Sequence, residues 1–570
     1  MMKQWVRLAL ATLLIFSSFT YIQEPHSKAA TGEKFKILEI RDEWSTTNRI
    51  DPGTKITSLL TGLDSARFDV KKMTVKELNA SRFPLDGAFD AIVFDPSINS
   101  NDQEKYSIKL SEFDKRNHNT SKIENDITRL KSNEILNAYV RKGLPVYLHK
   151  DIFTHDQSNF SKVLKNYVST QATVSYENIN DVINSLKQKI NVRPRISNVT
   201  VKQAGNTLSS IGSIAVPNRP IEFSYTLDQS INDTTATLYI DFDSNDQFDE
   251  SEKVDELPAA VNGKLTYTFD VPSYTGPRQW MIRINKSNGL SDYKTGSFLM
   301  KDQLAEAKVL QVLGTRGTGS LLDNLKGENL SKNDFYNFNL NVIDSAKFSS
   351  EVTSKDLNAS YDMLIFGFQD SYGTASLTDL AFDKVKSFTN TGQGLMLTHD
   401  TIFRSNVKNA PTRWEADYAT ASGQTYYTNM GFAAPKKSTK AIRQNEGQMT
   451  SFPFALDNEI SIAQTHNQYF ALDLEQPDLI PWYNIKETEA NTETGRTVGD
   501  ARNHYYMYTK GNITYSGAGH TSSFTNVGEQ NLFTNTMYRA FIGANHKPLI
   551  KSLLPYNKSS YLENEPLAIS

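Results

Sequence analysis

Lys36-Ile37-Leu38-Glu39-Ile40 and Lys308-Val309-Leu310-Gln311-Val312 are one pattern written twice, 272 residues apart. Asp90-Ala91-Ile92-Val93-Phe94 returns at the same spacing as Asp362-Met363-Leu364-Ile365-Phe366. Between them, Leu78-Asn79-Ala80-Ser81 returns as Leu357-Asn358-Ala359-Ser360. Further on, Gly143-Leu144-Pro145-Val146-Tyr147-Leu148-His149 is matched by Gly394-Leu395-Met396-Leu397-Thr398-His399, and Ile152-Phe153 by Ile402-Phe403. Blocks in the same order mark an internal repeat. The shorter spacing of the later blocks places extra polar sequence in the first copy, around Ser97 to Asn133. Short, continuous apolar runs such as AIVF and MLIF suit strands buried on both faces. They alternate with helical stretches at Asn133 to Lys142 and Leu380 to Thr389. Each copy therefore reads as an open, doubly wound α/β sheet. Such sheets bind ligands at the carboxyl ends of their strands, which directs attention to His149 and His399.

Between the copies, over about residues 191–301, the period changes. Ile221, Phe223, Tyr225 and Leu227 alternate with polar residues, as do Leu265, Tyr267, Phe269 and Val271, and Trp280, Ile282 and Ile284. Period-2 runs separated by turn signals predict an antiparallel β-sandwich, which the chain enters through Val192-Arg193-Pro194-Arg195-Ile196. His546-Lys547-Pro548-Leu549-Ile550 echoes that stretch near the C-terminus, and Asn564-Glu565-Pro566-Leu567 echoes Asn218-Arg219-Pro220-Ile221. The start of a further sandwich, cut short, or else a plain tail, is the expectation for 548–570.

The 570 residues suggest three or four domains. Hydrophobic residues make up 38% and charged residues 22%, a globular balance. With 61 Lys+Arg against 64 Asp+Glu the net charge is −3, so there is no broad basic footprint for nucleic acid. There is no cysteine, which removes thiol nucleophiles, thiolate-ligated metals and disulfides together. Lys3 and Arg7, the apolar run Leu8 to Ile22, and small residues at Ser27 and Ala29 have the layout of a secretory signal peptide over 1–29. The run is too short and too interrupted for a membrane span. A secreted or extracellular protein, free or held at the cell wall, is expected, with no transmembrane segment after signal removal.

One motif carries specific chemistry. Asp241, Asp243, Asn245, Asp249 and Glu252 place side-chain oxygens at positions 1, 3, 5, 9 and 12 of a twelve-residue loop, and Gln247 offers its carbonyl at position 7. That is the ligand order of a calcium loop. Asp246 stands at position 6, where glycine is usual. Leu238-Tyr239-Ile240 ahead of the loop reads as a strand, so the Ca2+ is expected between sandwich strands, in a structural role.

For catalysis the second copy offers His399 and Asp400 at a strand end and His520 in the run Tyr515-Ser516-Gly517-Ala518-Gly519-His520-Thr521, with Glu529 nine residues on. Histidine suits acid–base work near neutral pH, and the four could converge on a cation or a proton-transfer site. The serine precedes both glycines, so this is not the hydrolase nucleophile elbow. Gly314-Thr315-Arg316-Gly317-Thr318-Gly319 follows a strand but lacks the dinucleotide spacing, and reads as a plain turn. The second copy is also rich in aromatics, among them Trp414, Tyr418, Tyr426, Tyr427, Tyr469, Phe470, Trp482, Tyr483, Tyr505, Tyr506 and Tyr508. These suit either sugar-ring contact or ordinary packing.

With Leu397-Thr398-His399-Asp400 and the run from Tyr506 to Thr521 in view, the chain resembles an uncharacterised family of secreted bacterial surface proteins. Those proteins carry domains similar to the class I glutamine amidotransferase-like fold together with Ig-like modules. The resemblance covers most of 34–547. It implies two doubly wound, flavodoxin-like domains, at 34–190 and 302–547, flanking an Ig-like β-sandwich at 191–301. It implies no activity. True amidotransferases need a cysteine at the strand–helix elbow, and here His399 takes that place. The expected role is binding or scaffolding at the cell envelope, with a cell-wall or extracellular glycan as partner. The alternative is a thiol-independent hydrolase acting on such glycans through the second copy.

Overall fold

The computed structural model describes residues 34–41, 58–94, 127–150, 158–168, 172–189, 192–210, 212–228, 232–270, 274–314, 332–367, 377–398, 401, 424–427, 438–465, 470–486, 501–518 and 526–544. The signal-peptide segment 1–29 and the tail 548–570 lie outside them.

The first copy supplies β1 (Phe35–Arg41), β2 (Phe68–Thr74), β3 (Ala91–Phe94), β4 (Val146–His149) and β5 (Thr173–Tyr176). They form one parallel sheet in the order β2-β1-β3-β4-β5, the flavodoxin-like order. Alternate strand residues serve opposite faces. Leu38, Ile40, Ile92 and Phe94 pack with helices Val75–Ala80 and Arg129–Ala138 on one side. Ile37, Ala91 and Val93 pack with Val182, Ile183 and Leu186 of helix Ile179–Gln188 on the other. Burial on both faces is why these strands are uniformly apolar in sequence.

The middle segment forms β6 (Ile196–Gln203), β7 (Asn206–Thr207), β8 (Ile214–Ala215), β9 (Ile221–Leu227), β10 (Thr234–Ile240), β11 (Lys253–Pro258), β12 (Asn262–Tyr267), β13 (Gly276–Lys286) and β14 (Ser291–Met300). Two sheets, β11-β10-β13-β14-β8 and β12-β9-β6-β7, enclose a shared core that includes Phe223, Leu238, Trp280 and Phe298. All pairings are antiparallel except β14 with β8. The alternation read at 221–227 is the observed burial pattern of β9.

The second copy supplies β15 (Ala305–Leu313), β16 (Tyr336–Asp344), β17 (Met363–Phe366), β18 (Gly394–Thr398), β19 (Gln424–Tyr427), β20 (Ser438–Arg443), β21 (Glu459–Thr465), β22 (Phe470–Leu472), β23 (Leu479–Lys486), β24 (Tyr505–Lys510) and β25 (Ile513–Ser516). Its sheet runs β16-β15-β17-β18-β25-β24-β23-β20-β21. The first five strands repeat the parallel order of the first copy, and four antiparallel strands extend the edge. Helix Asp379–Asn390 covers one face through Phe382, Val385 and Phe388. Helix Val527–Ile542 covers the other through Phe533, Met537 and Phe541. A Cβ on Gly394 would meet the Ala540 carbonyl oxygen at 2.4 Å, so glycine there lets this helix lie against β18.

The repeat extends to hydrogen bonds. Asp90 Oδ2 accepts from the Lys36 amide at 2.6 Å, and Asp362 Oδ2 from the Lys308 amide at 2.8 Å. In each copy an aspartate at the foot of the third strand ties down the first. Glu39 and Gln311, equivalent and fully buried, both turn to backbone. Glu39 accepts from the Leu59 amide at 3.1 Å, and Gln311 donates to the Gly367 carbonyl at 3.2 Å.

The three bodies interlock. Asp90 is paired with Arg193 and Arg195 at the head of the sandwich. Asp86 is paired with Lys142 at 2.8 Å and also with Arg283 of β13. Arg82 reaches the second α/β unit, donating to the Leu479 carbonyl at 2.7 Å, while its backbone amide donates to Asn445 Oδ1 at 2.8 Å. Among the described residues no helix is long and apolar enough to cross a membrane.

Candidate functional site

The calcium-type loop links β10 to β11, where the sequence places it. Ligand oxygens of Asp241, Asp243 and Glu252 lie within 4.8 Å of one another. Asp241 is 1% exposed and Glu252 4%. Asp241 Oδ1 accepts from the Asn245 amide at 3.1 Å and Oδ2 from the Asp246 amide at 2.9 Å. Glu252 Oε1 accepts from the Phe242 amide at 2.8 Å, closing the loop on its first turn. Ser244 and Asp246 both have positive φ, 59° and 60°, which curls the chain around the carboxylates. Asp tolerates that conformation better than most residues.

The other expected ligands are partly committed elsewhere. Asn245 Nδ2 donates to Asp243 Oδ2 at 2.9 Å, and its Oδ1 accepts from the Gln247 amide at 2.6 Å. Asp249 caps the short turn Glu250–Glu252, accepting from the Ser251 amide at 2.7 Å. Burial pushes the Asp241 carboxyl well above its ordinary pKa, and the nearby Asp246 and Glu252 push it further. Burial raises Glu252 too, with Asp243 and Asp249 adding to the effect. Carboxylates gathered out of water repel, and a cation between them relieves both penalties. From outside the loop, the Arg278 guanidinium donates to the carbonyls of Asp241 at 3.1 Å and Phe242 at 2.6 Å, and lies 3.7 Å over the Tyr274 ring.

Of the residues proposed for catalysis, His399, Asp400 and His520 lie outside the described residues. Glu529 is described, 1% exposed in the first turn of helix Val527–Ile542. Its Oε1 accepts from the Tyr506 hydroxyl at 2.5 Å and its Oε2 from the Ala463 amide at 2.8 Å. It joins a helix, β24 and β21. Burial, together with the neighbouring Glu529, holds the Tyr506 hydroxyl well above its ordinary pKa. Glu529→Ala leaves that hydroxyl and the Ala463 amide unpaired, and is expected to lower stability by about 2–4 kcal/mol. Urea unfolding measures it; an unchanged midpoint contradicts this role.

At the end of β18 two hydroxyls converge on one carbonyl. Thr398 Oγ1 and Thr401 Oγ1 both donate to the Phe366 carbonyl, at 3.0 and 2.9 Å. A Cβ on Gly367 would meet these hydroxyls at 2.5 and 2.6 Å, so the three segments are in close contact. Gly517, in the quoted Gly-rich run, meets the Tyr506 ring at 2.6 Å in the same test, which explains that glycine by packing. In the first copy, His149 ends β4 with its ring edge-on to Tyr176 at 5.5 Å.

Of the two readings of the aromatic residues, the described ones follow packing. Trp482, Tyr483, Tyr505, Tyr506 and Tyr508 are all buried, in the antiparallel extension, and form core rather than an open sugar-binding face. Trp414, Tyr418 and Tyr469 lie outside the described residues, as does the turn from Thr315 to Gly319. Sequence reasoning missed Arg82, Asn445, Asp246 and Arg539, whose partners are far away in the chain. The only local signal was the aspartate at loop position 6.

The GEVED domain model matches residues 235–298, a stretch that contains the loop and strands β11 to β13. No curated protein matches the chain. Among solved structures, a protein described as ThuA-like from Bacteroides uniformis is similar at 12% identity and a TM-score of 0.31, over 42% of this chain and 92% of that one. A protein described as a polysaccharide deacetylase from Bacillus anthracis is similar at 10% identity and a TM-score of 0.18, over 41% and 71%. A β-glucuronidase from Bifidobacterium dentium is similar at 12% identity and a TM-score of 0.15, over 36% and 44%. The match to the GEVED domain model thus falls within the sandwich of a mixed α/β and β architecture.

Proposed function

We propose that this is a secreted or cell-surface multidomain protein that binds or scaffolds at the cell envelope. In this reading its two α/β units are of the class I glutamine amidotransferase-like type, its sandwich is Ig-like, and it has no amidotransferase activity. The observation that supports this reading is structural: described polar groups near β18 and β24 are engaged in internal hydrogen bonds. Thr398 and Thr401 both donate to the Phe366 carbonyl, and Glu529 is held between Tyr506 and Ala463. The absence of cysteine supports it, because an amidotransferase-like site would need that nucleophile. The partner best suited to this reading is a cell-wall or extracellular glycan. Full-length protein mixed with purified bacterial cell walls is expected to sediment with them; protein that stays in the supernatant at all wall concentrations contradicts the reading.

The sandwich in this reading takes one Ca2+. Asp241, Asp243, Asn245, Asp249 and Glu252 would hold it with the Gln247 carbonyl, and Asn245 and Asp249 would turn from their present hydrogen bonds to do so. The ion would stiffen the β10–β11 connection. Extracellular calcium is concentrated enough for a weak site. At roughly 100 times Kd, binding adds about 2.7 kcal/mol to stability. A rise in melting temperature with millimolar calcium, lost in Asp241→Asn, is the expected result. No shift and no calorimetric heat in the wild type contradict it.

A further inference from the structure

Asp246 belongs to two structures at once. Its backbone amide donates to Asp241 Oδ2 at 2.9 Å, inside the loop. Its side chain leaves the sandwich. Oδ1 accepts from the Gln448 amide at 2.8 Å, and Oδ2 lies 3.7 Å from Arg539 Nε. Both partners belong to the second α/β unit, one in the short helix Gln448–Ser451 and one in helix Val527–Ile542. Asp246 and Arg539 have side chains only 7% and 4% exposed. The approach is tight enough to require glycine next to it. A Cβ on Gly447 would stand 2.5 Å from Asp246 Oδ1 and 2.8 Å from the Trp482 ring. The next loop residue docks as well, Gln247 Nε2 donating to the Pro477 carbonyl at 3.1 Å. Arg278 completes the link, holding the loop carbonyls on one side and stacking on Tyr274, whose hydroxyl meets Gln448 Nε2 at 2.5 Å.

We propose that the loop 241–252 is an interdomain lock, with Asp246 as the positioning residue that seats the second α/β unit on the sandwich. The lock itself stands on these contacts; its control by calcium rests on the metal reading of the loop given above. A cation that draws Asp241, Asp243 and Glu252 together fixes the backbone amides held by Asp241, and so fixes the direction in which Asp246 leaves the loop. Without it, the carboxylates push apart and the aspartate loses its aim. Because one residue serves both sites, occupancy of the loop and seating of the domain are linked, and each must favour the other. Glycine, the usual residue at position 6, would keep the turn and lose the lock.

The absence of native cysteine makes the test direct. Leu257→Cys on the sandwich and Leu380→Cys on the second unit, both at exposed positions, carry spin labels for distance measurement in the full chain. With calcium, one narrow distance distribution is expected; with chelator it broadens. Asp246→Ala broadens it even with calcium, while calorimetry still records calcium binding and near-ultraviolet circular dichroism stays native. Tryptic cleavage at Lys301, between the two bodies, rises in the variant on the order of tenfold. Asp246→Asn, which retains the Gln448 contact and loses the charge facing Arg539, falls between. Wild-type distances and cleavage in Asp246→Ala overturn the lock. Calcium binding with identical distances in calcium and chelator overturns the coupling and leaves the metal reading standing. Absence of calcium binding overturns the metal reading and the coupling together.

Discussion

Asp90→Ala lowers the stability of the first α/β unit by about 3–5 kcal/mol, the largest single-residue effect expected in this chain. Asp90 is 2% exposed and stands between two guanidinium groups that are themselves buried, Arg193 at 0% and Arg195 at 2%. Its Oδ1 pairs with Arg193 Nε at 2.8 Å, and its Oδ2 takes Arg195 and the Lys36 amide. Arg193 also donates to the Ser291 carbonyl at 2.9 Å. Removing the carboxylate strands two cations out of water, with Asp292 the remaining anion near Arg193. Urea unfolding followed in the first unit gives the number; a loss under about 1 kcal/mol refutes the role. Asp362→Ala is the internal control. It loses the equivalent bond to Lys308 in an exposed setting, and is expected to cost about 1 kcal/mol or less.

The same residue gives a pH signature. Burial alone would push the Asp90 carboxyl up, but Arg193 and Arg195, with hydrogen bonds from Arg193 and the Lys36 amide, outweigh it and leave the pKa below its ordinary value. A depressed folded-state pKa means stability that is fully present above the unfolded value, near about 3.9, and is lost as pH falls through the folded one. Acid unfolding of Asp90→Asn should therefore lack that component, with a shallower loss of stability below about pH 4.

Arg82→Ala is expected to weaken the contact between the two α/β units by about 3 kcal/mol. The Arg82 side chain donates to five carbonyls: Leu479 at 2.7 Å, Leu474 at 3.3 Å and Gln476 at 3.5 Å across the interface, and Asn79 at 2.9 Å and Ser81 at 3.0 Å on its own side. Burial lowers its pKa to about 10, so it stays cationic at neutral pH. Asn445, which also donates to the carbonyls of Ala80 at 2.9 Å and Pro481 at 2.7 Å, is left to bridge the gap. Calorimetric melting should separate into distinct transitions for the two units. Arg82→Lys should not restore the wild-type profile, because an ammonium cannot span the same fan of acceptors. A wild-type melting profile in Arg82→Ala would show that the interface does not depend on this side chain.

The parts of the fold that could be read from sequence were those with local pattern. Strands such as β3 and β17 are apolar throughout because both faces are covered, and the repeat placed them in order. The sandwich announced itself in the alternation at Ile221 to Leu227. The antiparallel extension of the second unit was not legible. The aromatic residues of β23 and β24 carry polar tips, and without a partner strand in view they fit sugar contact and packing equally well. Charge clusters were read only where their members were adjacent. Asp241, Asp243 and Glu252 stand within one turn of chain, whereas Arg82, Asp246 and Asp90 work through partners dozens to hundreds of residues away. Position 6 of the loop was visible as a departure from pattern, and its cause, the docking of Asp246 on Gln448 and Arg539, needed the tertiary fold. Glu529 was read as a candidate acid; a carboxylate between a hydroxyl and an amide looks the same in sequence as one facing a substrate.

The measurement that bears most directly on the proposed role is turnover. Wild-type protein and His399→Ala are incubated, with calcium, on purified peptidoglycan and a panel of extracellular glycans, and released soluble fragments are quantified alongside bound protein. The account predicts binding to at least one of these polymers, no fragments released by either protein, and the same bound fraction for both. Release of fragments by the wild type that disappears in His399→Ala would contradict it and assign the strand end of the second unit a hydrolytic role.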